Sequence, residues 1–428
     1  MLGPNGGAES VTPAAQIAFG QNPEALNRDS KRQSFGRKVA LSLRWLPAYG
    51  WQRLTRRRPS GQVHLIFTLA DHFEPSIVPE DGNARAPYDV QESRLERWCR
   101  DYPELVDPWR DSDGRPMVHT YFYPAEQYDE GLVDRLAEHC RAGWGEIEVH
   151  LHHGVQTPDT PENTRRQLAH FRDLLAERGC LAYWNGLGLA RYGFVHGNFA
   201  LSNSADGRCC GVDSEMQILA ETGCYADFTL PPGAFHPAQI AKINSVYECT
   251  LPLTRRAPHR RGRDLRCGHP PATFPLMVQG PLLPDFHAGR LWAVPVIEDS
   301  AITGARPPSL QRLQLWKRAA ITVHGRPDWI FVKLHCHGMD PGPRHQDAVL
   351  GASMQRFLRE LVEGAPQRGE SLHFVSAREM VNIMLAACDG REGNPGDYRD
   401  YRLRLFRTGS PRDLPEPNEK AEGRGARS

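Results

Sequence analysis

An α/β fold, in the form of an irregular (β/α) barrel of about seven strands, is what this 428-residue sequence predicts. Three observations lead there. From about residue 61, short β-branched or aromatic runs alternate with amphipathic helical runs, the pattern of strand–helix units. At least six such units can be counted, more than one mononucleotide-binding half contains. The length is also sufficient for a single α/β domain of roughly 250 residues or more with extensions.

In chain order, HLIFTLAD (His64 to Asp71) reads as the first strand and SRLERWCRDYPELV (Ser93 to Val106) as a helix. VHTYFYP (Val118 to Pro124) reads as the second strand, followed by a helix over Asp129 to Gly143 that its glycine closes. EIEVHLHHG (Glu146 to Gly154) reads as the third strand. The next helix opens with Thr160 as N-cap and Pro161 at its first position. Residues Gly211 to Pro231 supply a helix, a glycine stop and a strand. SLQRLQLWKRAAI (Ser309 to Ile321) is a helix leading into the strand DWIFVKLHCHG (Asp328 to Gly338), and one more unit ends in Leu372 to Cys388.

The expected organisation is a basic, partly disordered N-terminal extension over residues 1–60, a barrel over 61–390 and a polar tail over 391–428. The Pro/Gly/Arg-rich stretch at about 250–308 is expected to be an insertion in a barrel loop. The formal net charge of +1 hides +7 in residues 1–60 and about −6 in the rest, which argues against a nucleic-acid-binding body. Val39 to Trp51 is too short, and too interrupted by Arg44 and Pro47, to span a membrane. The basic segment reads as a solvated extension, with peripheral contact to anionic lipid as the alternative. Residues 1–20 lack the features of a secretory signal and the ten cysteines form no CxxC pair, so reduced thiols and a cytoplasmic location are expected.

The chemistry is concentrated in two histidine pairs. His150 and His152 end the third strand, and His335 and His337 end the late strand. Residues two apart on a strand face the same way, so each pair presents two imidazoles to one point. Active sites of α/β barrels lie at the C-terminal strand ends. For any one histidine, a loop position bonded to backbone is the commoner situation; two equally spaced pairs at strand ends make it the weaker account. Imidazole is a ligand for zinc and similar divalent metals, and a carboxylate usually joins it. Asp71, with His72 and Glu74 beside it, is the nearest such group. Strand parity also puts Glu148 and Lys333 one step below His150 and His335, where they could form a buried ion pair or reach solvent. Six arginines between Arg255 and Arg266 form either a clamp for an acidic or phosphorylated glycan or a solvated loop.

Taken in order, FTLADHFEP, EIEVHLHHG, RYGFVHGNFALSN, YADFTLP and VKLHCHG resemble the motifs of polysaccharide deacetylases of the NodB-homology class, carbohydrate esterase family four, and more closely the WalW-type proteins of lipopolysaccharide biosynthesis. The resemblance covers residues 61–390 and implies an irregular barrel that binds a divalent metal, zinc by preference. It implies metal ligands among Asp71, His72, His150 and His152, with His153 as the alternative to His152. It gives His335, with His337 beside it, the role of acid, and with the family's base position lost the base is expected from Asp71 or Glu74. Ala70 stands where the family has its base aspartate, and Gly154 where it has its second histidine. The function so implied is removal of an acyl group, N-acetyl above all, from an acetylated glycan or lipid-linked sugar in surface-polysaccharide metabolism. The alternatives are a non-catalytic glycan- or metal-binding barrel and another metal-dependent C–N hydrolase.

Overall fold

The computed structural model describes residues 35–56, 61–79, 84–288, 296–341 and 345–405. Its strands are β1 (Val63–His72), β2 (His119–Pro124), β3 (Gly145–Leu151), β4 (Ala182–Trp184), β5 (Leu187–His196), β6 (Cys224–Asp227), β7 (Val246–Cys249), β8 (Gly262–Asp264), β9 (Leu276–Val278), β10 (Leu283–Asp285), β11 (Val296–Glu298), β12 (Trp329–Cys336), β13 (Glu370–Phe374) and β14 (Leu403–Leu405). Its helices are α1 (Phe35–Ser42), α2 (Leu46–Thr55), α3 (Tyr88–Val106), α4 (Glu130–His139), α5 (Pro161–Glu177), α6 (Glu215–Thr222), α7 (Leu310–Ala319), α8 (Gln346–Leu350), α9 (Ala352–Gly364) and α10 (Ala377–Cys388).

A large, mostly parallel sheet runs in the order β12-β1-β2-β3-β5-β6-β9, and antiparallel β7 and β8 extend it past β9. β13 lies parallel along the first half of β1, and β2 takes over at Ala70 to His72. Both faces are covered, which is why β12 reads as an almost unbroken apolar run. Leu65, Phe67 and Leu69 of β1, Ile147 and Val149 of β3, and Val332 and Leu334 of β12 pack with Leu95, Trp98, Leu168 and Leu358 of the helices. Ile66, Ala70, Phe122, Tyr225 and Phe331 line the other face.

Several helix starts follow from side chains named in the sequence. The Asp129 carboxylate accepts the Leu132 N–H, Thr160 accepts from Asn163 ahead of Pro161, and Ser309 accepts from Arg312. Ser376 and Glu379 close a reciprocal capping box on α10.

Three expectations need correction, and one segment given no element from sequence is a strand. The 250–308 stretch is not confined to a loop: β9 pairs in parallel with β6, and the Ile302 N–H donates to the His335 carbonyl. The segment RYGFVH belongs to a ten-residue strand, β5, between β3 and β6. Residues 35–56 are helical and docked. Trp45 is fully buried against Ala234, Ile243 and Leu282, with its indole N–H on the Ala234 carbonyl. Residues 391–405 of the polar C-terminal segment are docked, with Arg378 and Asn382 of α10 bonding their backbone at Arg399 and Leu403. Residues 1–34 and 406–428 lie outside the described residues. No helix among the described residues is long and apolar enough to cross a membrane.

Candidate metal centre

Side-chain parity sorts the strand ends into two sets. Asp71 and Cys336 point to the Leu65 face; His72, His150, His335 and His337 point to the Ala70 face. On that second face the β1, β3 and β12 ends converge. The His72 ring lies 4.8 Å from that of His150, 4.6 Å from His337 and 6.3 Å from His335, centroid to centroid, and the His150 and His152 rings are 4.6 Å apart. Glu74, just beyond β1, completes the group. Its Oε1 is 3.2 Å from His150 Nε2 and 3.2 Å from His152 Nε2.

The outer nitrogens of both imidazoles are already engaged. His150 Nδ1 donates to the Val195 carbonyl at 2.9 Å, and His152 Nδ1 lies 2.6 Å from Glu126 Oε1. With Nδ1 protonated in each ring, two Nε2 lone pairs face one carboxylate, an arrangement of three acceptors that needs a cation between them. His152 Nε2 is buried and faces Glu74 Oε1. Metal-ligating histidines commonly donate their other N–H to a carboxylate or carbonyl in this way. Glu74, His150 and His152 therefore suit a divalent ion, with Glu126 and Val195 as the groups that orient the rings.

The electrostatics agree. Burial raises the Glu74 carboxyl, but bonds to His150 and His152 outweigh it and hold the group well below the usual carboxylate range. Burial works against charge on His152, yet Glu126 and Glu74 push its pKa up to about 10; a proton occupies the place a cation would take. His72 and His335 are driven well below 6.5, first by burial and then by neighbouring cations and imidazoles. His337 is lowered to about 4, by burial and then His345. Those three rings are neutral at pH 7.

Of the residues expected from sequence, His72, Glu74, His150, His152, His335 and His337 come together. Asp71 does not. Its Oδ2 lies 2.8 Å from His119 Nε2 and its Oδ1 accepts the Gly338 N–H at 2.7 Å, so it anchors the turn after His337 from behind the sheet. Gly338 is required there, since a Cβ would lie 2.3 Å from Asp71 Oδ2. His153 turns the other way from His152, toward Asp159 and Glu215. Glu126 was missed by sequence reasoning; it follows the β2 end as Glu74 follows that of β1, and strand-end position was the available signal.

The Glu148–Lys333 pair does not form. β1 and β2 stand between their strands, three strand spacings or roughly 14 Å along the sheet. Glu148 is bound by the Tyr225 hydroxyl and the Gly193 N–H, and burial pushes it up to about 8. Lys333 donates to the Leu230 carbonyl at 3.3 Å, feels Asp227, and is pushed down to about 7 by burial. In the arginine stretch, Arg256 bonds Asn203 and Asp206, Arg260 the Ser204 carbonyl, and Arg263 Glu248, so these three serve the loop's own fold.

No protein-family model and no curated protein matches this chain.

Proposed function

We propose that the protein is a metal-dependent hydrolase that removes an acyl group, N-acetyl in the first instance, from a sugar, on an irregular (β/α) barrel of the polysaccharide-deacetylase kind. The observation that carries the reading is the convergence of Glu74, His150 and His152 with neutral His72, His335 and His337 at the C-terminal ends of β1, β3 and β12. The sugar and the pathway rest on the motif order alone.

A divalent ion held by Glu74, His150 and His152, zinc by its donor set, would polarise an acyl carbonyl and make a water more acidic. Glu74 then serves as a ligand, and proton transfer falls to histidine. Ser300 Oγ donates to the Asp299 carbonyl, so the 3.1 Å contact between His335 and Ser300 has Nδ1 as donor and leaves Nε2 as the basic nitrogen. Burial and Lys333 keep this ring neutral. It can accept the proton of the attacking water and return it to the leaving amine; the C–N bond breaks, a C–O bond forms, and acetate and free amine depart. Asp71 positions the turn at Gly338 that follows His337.

Acetate release from N-acetylated oligosaccharides by zinc-loaded protein, with metal content measured on the same sample, tests the reading. His335→Gln should lose turnover and keep metal; His150→Ala should lose both. A metal-loaded parent that releases no acetate from a broad panel of acetylated oligosaccharides and lipid-linked sugars is instead a non-catalytic binding protein, the reading that Ala70 favours.

A further inference from the structure

We propose that His153, His196, Cys210 and Glu215 form a second, closed zinc site that fastens the 197–215 segment to the end of β3, separate from the centre at Glu74. The donors come from four places: the second residue beyond β3, the last residue of β5, a loop, and the first residue of α6. One ligand atom from each lies within 4.8 Å of the others, and all four residues are buried. His153 Nε2 is 3.0 Å from Glu215 Oε1, His196 Nε2 is 3.7 Å from the same oxygen, and Cys210 Sγ is 3.4 Å from Glu215 Oε2. Ligands on tetrahedral bonds of roughly 2.0–2.3 Å stand roughly 3.5 Å apart, which these spacings approach.

The surroundings are those of bound ligands. His153 Nδ1 lies 3.0 Å from Asp159 Oδ2, a carboxylate itself held by Thr164, Asn163 and the Thr160 N–H. That leaves Nε2 directed at the cluster, as in carboxylate–histidine–zinc arrangements. Cys210 Sγ receives the backbone N–H groups of Asn203 at 3.3 Å and Val212 at 3.4 Å, and Glu215 Oε2 receives that of Ser202 at 2.5 Å. Gly154, at φ +60°, lets the β3 end pass against Cys210, whose carbonyl a Cβ would meet at 2.0 Å.

A purely hydrogen-bonded network accounts for His153 as an imidazolium between Asp159 and Glu215. It does not account for His196, whose Nε2 is fully buried, aimed at the cluster and without a hydrogen-bond partner. A Zn²⁺ with one thiolate, one carboxylate and two neutral imidazoles carries no net charge, the arrangement a buried site tolerates best. Coordination through Nε2 moves the His196 proton to Nδ1 and releases the local 3.2 Å bond from the Asn198 N–H. Four protein ligands leave no open position, so the role is structural.

Cobalt loading of the full chain tests the site, because the Glu74 centre contains no sulfur. A thiolate-to-cobalt charge-transfer band is expected in the parent and in His150→Ala, and its loss in Cys210→Ser. A cobalt-loaded parent without the band, or a band unchanged in Cys210→Ser, overturns the proposal. If Cys210→Ser does not fold, X-ray absorption on the zinc-loaded parent decides: a zinc–sulfur distance of about 2.3 Å supports the site, and a shell of nitrogen and oxygen alone removes it. Failure of the Glu74 centre to bind metal would leave the band intact, so the two readings fail separately.

Discussion

Glu126 Oε1 stands 2.6 Å from His152 Nδ1, on the side of the ring away from Glu74. The carboxylate fixes the tautomer and aims Nε2 at Glu74 and His150. Glu126→Gln should therefore weaken metal binding at this centre by about 10–100-fold, the usual effect of removing such a partner. Competition against a chelator of known affinity measures it; unchanged affinity would mean that His152 is not a ligand.

Glu148 and Lys333 have separate partners, so their effects on stability should add. Denaturant melts of Glu148→Gln, Lys333→Met and the double variant should give an interaction energy within about 0.5 kcal/mol of zero. A coupling well above 1 kcal/mol would place the two groups in contact after all. Lys333→Met and Asp227→Asn, by contrast, should be non-additive, because each charge is felt by the other.

Asp113 gives a pH signature away from the metal centres. Burial opposes its charge, but bonds from Asn394, Arg399 and His373 outweigh burial and hold it at about 2 against an ordinary 3.8. A depressed carboxylate contributes stability that is present above the ordinary value and is lost as pH falls toward the folded one. Asp113→Asn should be less stable than the parent above about pH 4, and the difference should shrink as pH approaches 2. Urea midpoints with a constant gap across that window would contradict this.

The docked N-terminal helices expose Leu43, Trp51 and Leu54 on a strongly basic segment. The expected outcome is salt-sensitive cosedimentation with vesicles containing anionic lipid, reduced in Trp51→Ala with Leu54→Ala. Binding indifferent to salt and to both substitutions would remove the membrane reading.

Strand and helix identity was legible wherever periodicity and caps coincided, as at Thr160–Pro161 and along VKLHCHG. β5 was hidden because its first three residues, Leu187 to Leu189, are exposed, and only RYGFVH has a strand's composition. Residues 391–405 were hidden for another reason. Their order comes from Arg378 and Asn382, far away in sequence, and polar composition carries no trace of such bonds. At the metal centre, strand parity brings out the two histidine pairs, and it puts Asp71 on the opposite face from His72. His153, named as the alternative to His152, turns the other way, as continued alternation along HLHH would have it. His196, Cys210 and Glu215 have no shared spacing that a linear reading could detect.

The first strand of the sheet is flanked by β12 on one side and β13 along its first half on the other, with His64 opposite Trp329. During synthesis at ~5–20 residues per second, β1 emerges on the order of 10–50 s before its neighbour exists. Until then its β12 edge and the first half of its other edge are open to other nascent chains, and a stalled ribosome leaves a fragment in which β1 is paired only with β2, at Ala70 to His72. Aggregation of the newborn chain, more than unfolding of the finished one, is the hazard this topology sets, and chaperone supply should govern its yield more than growth temperature alone.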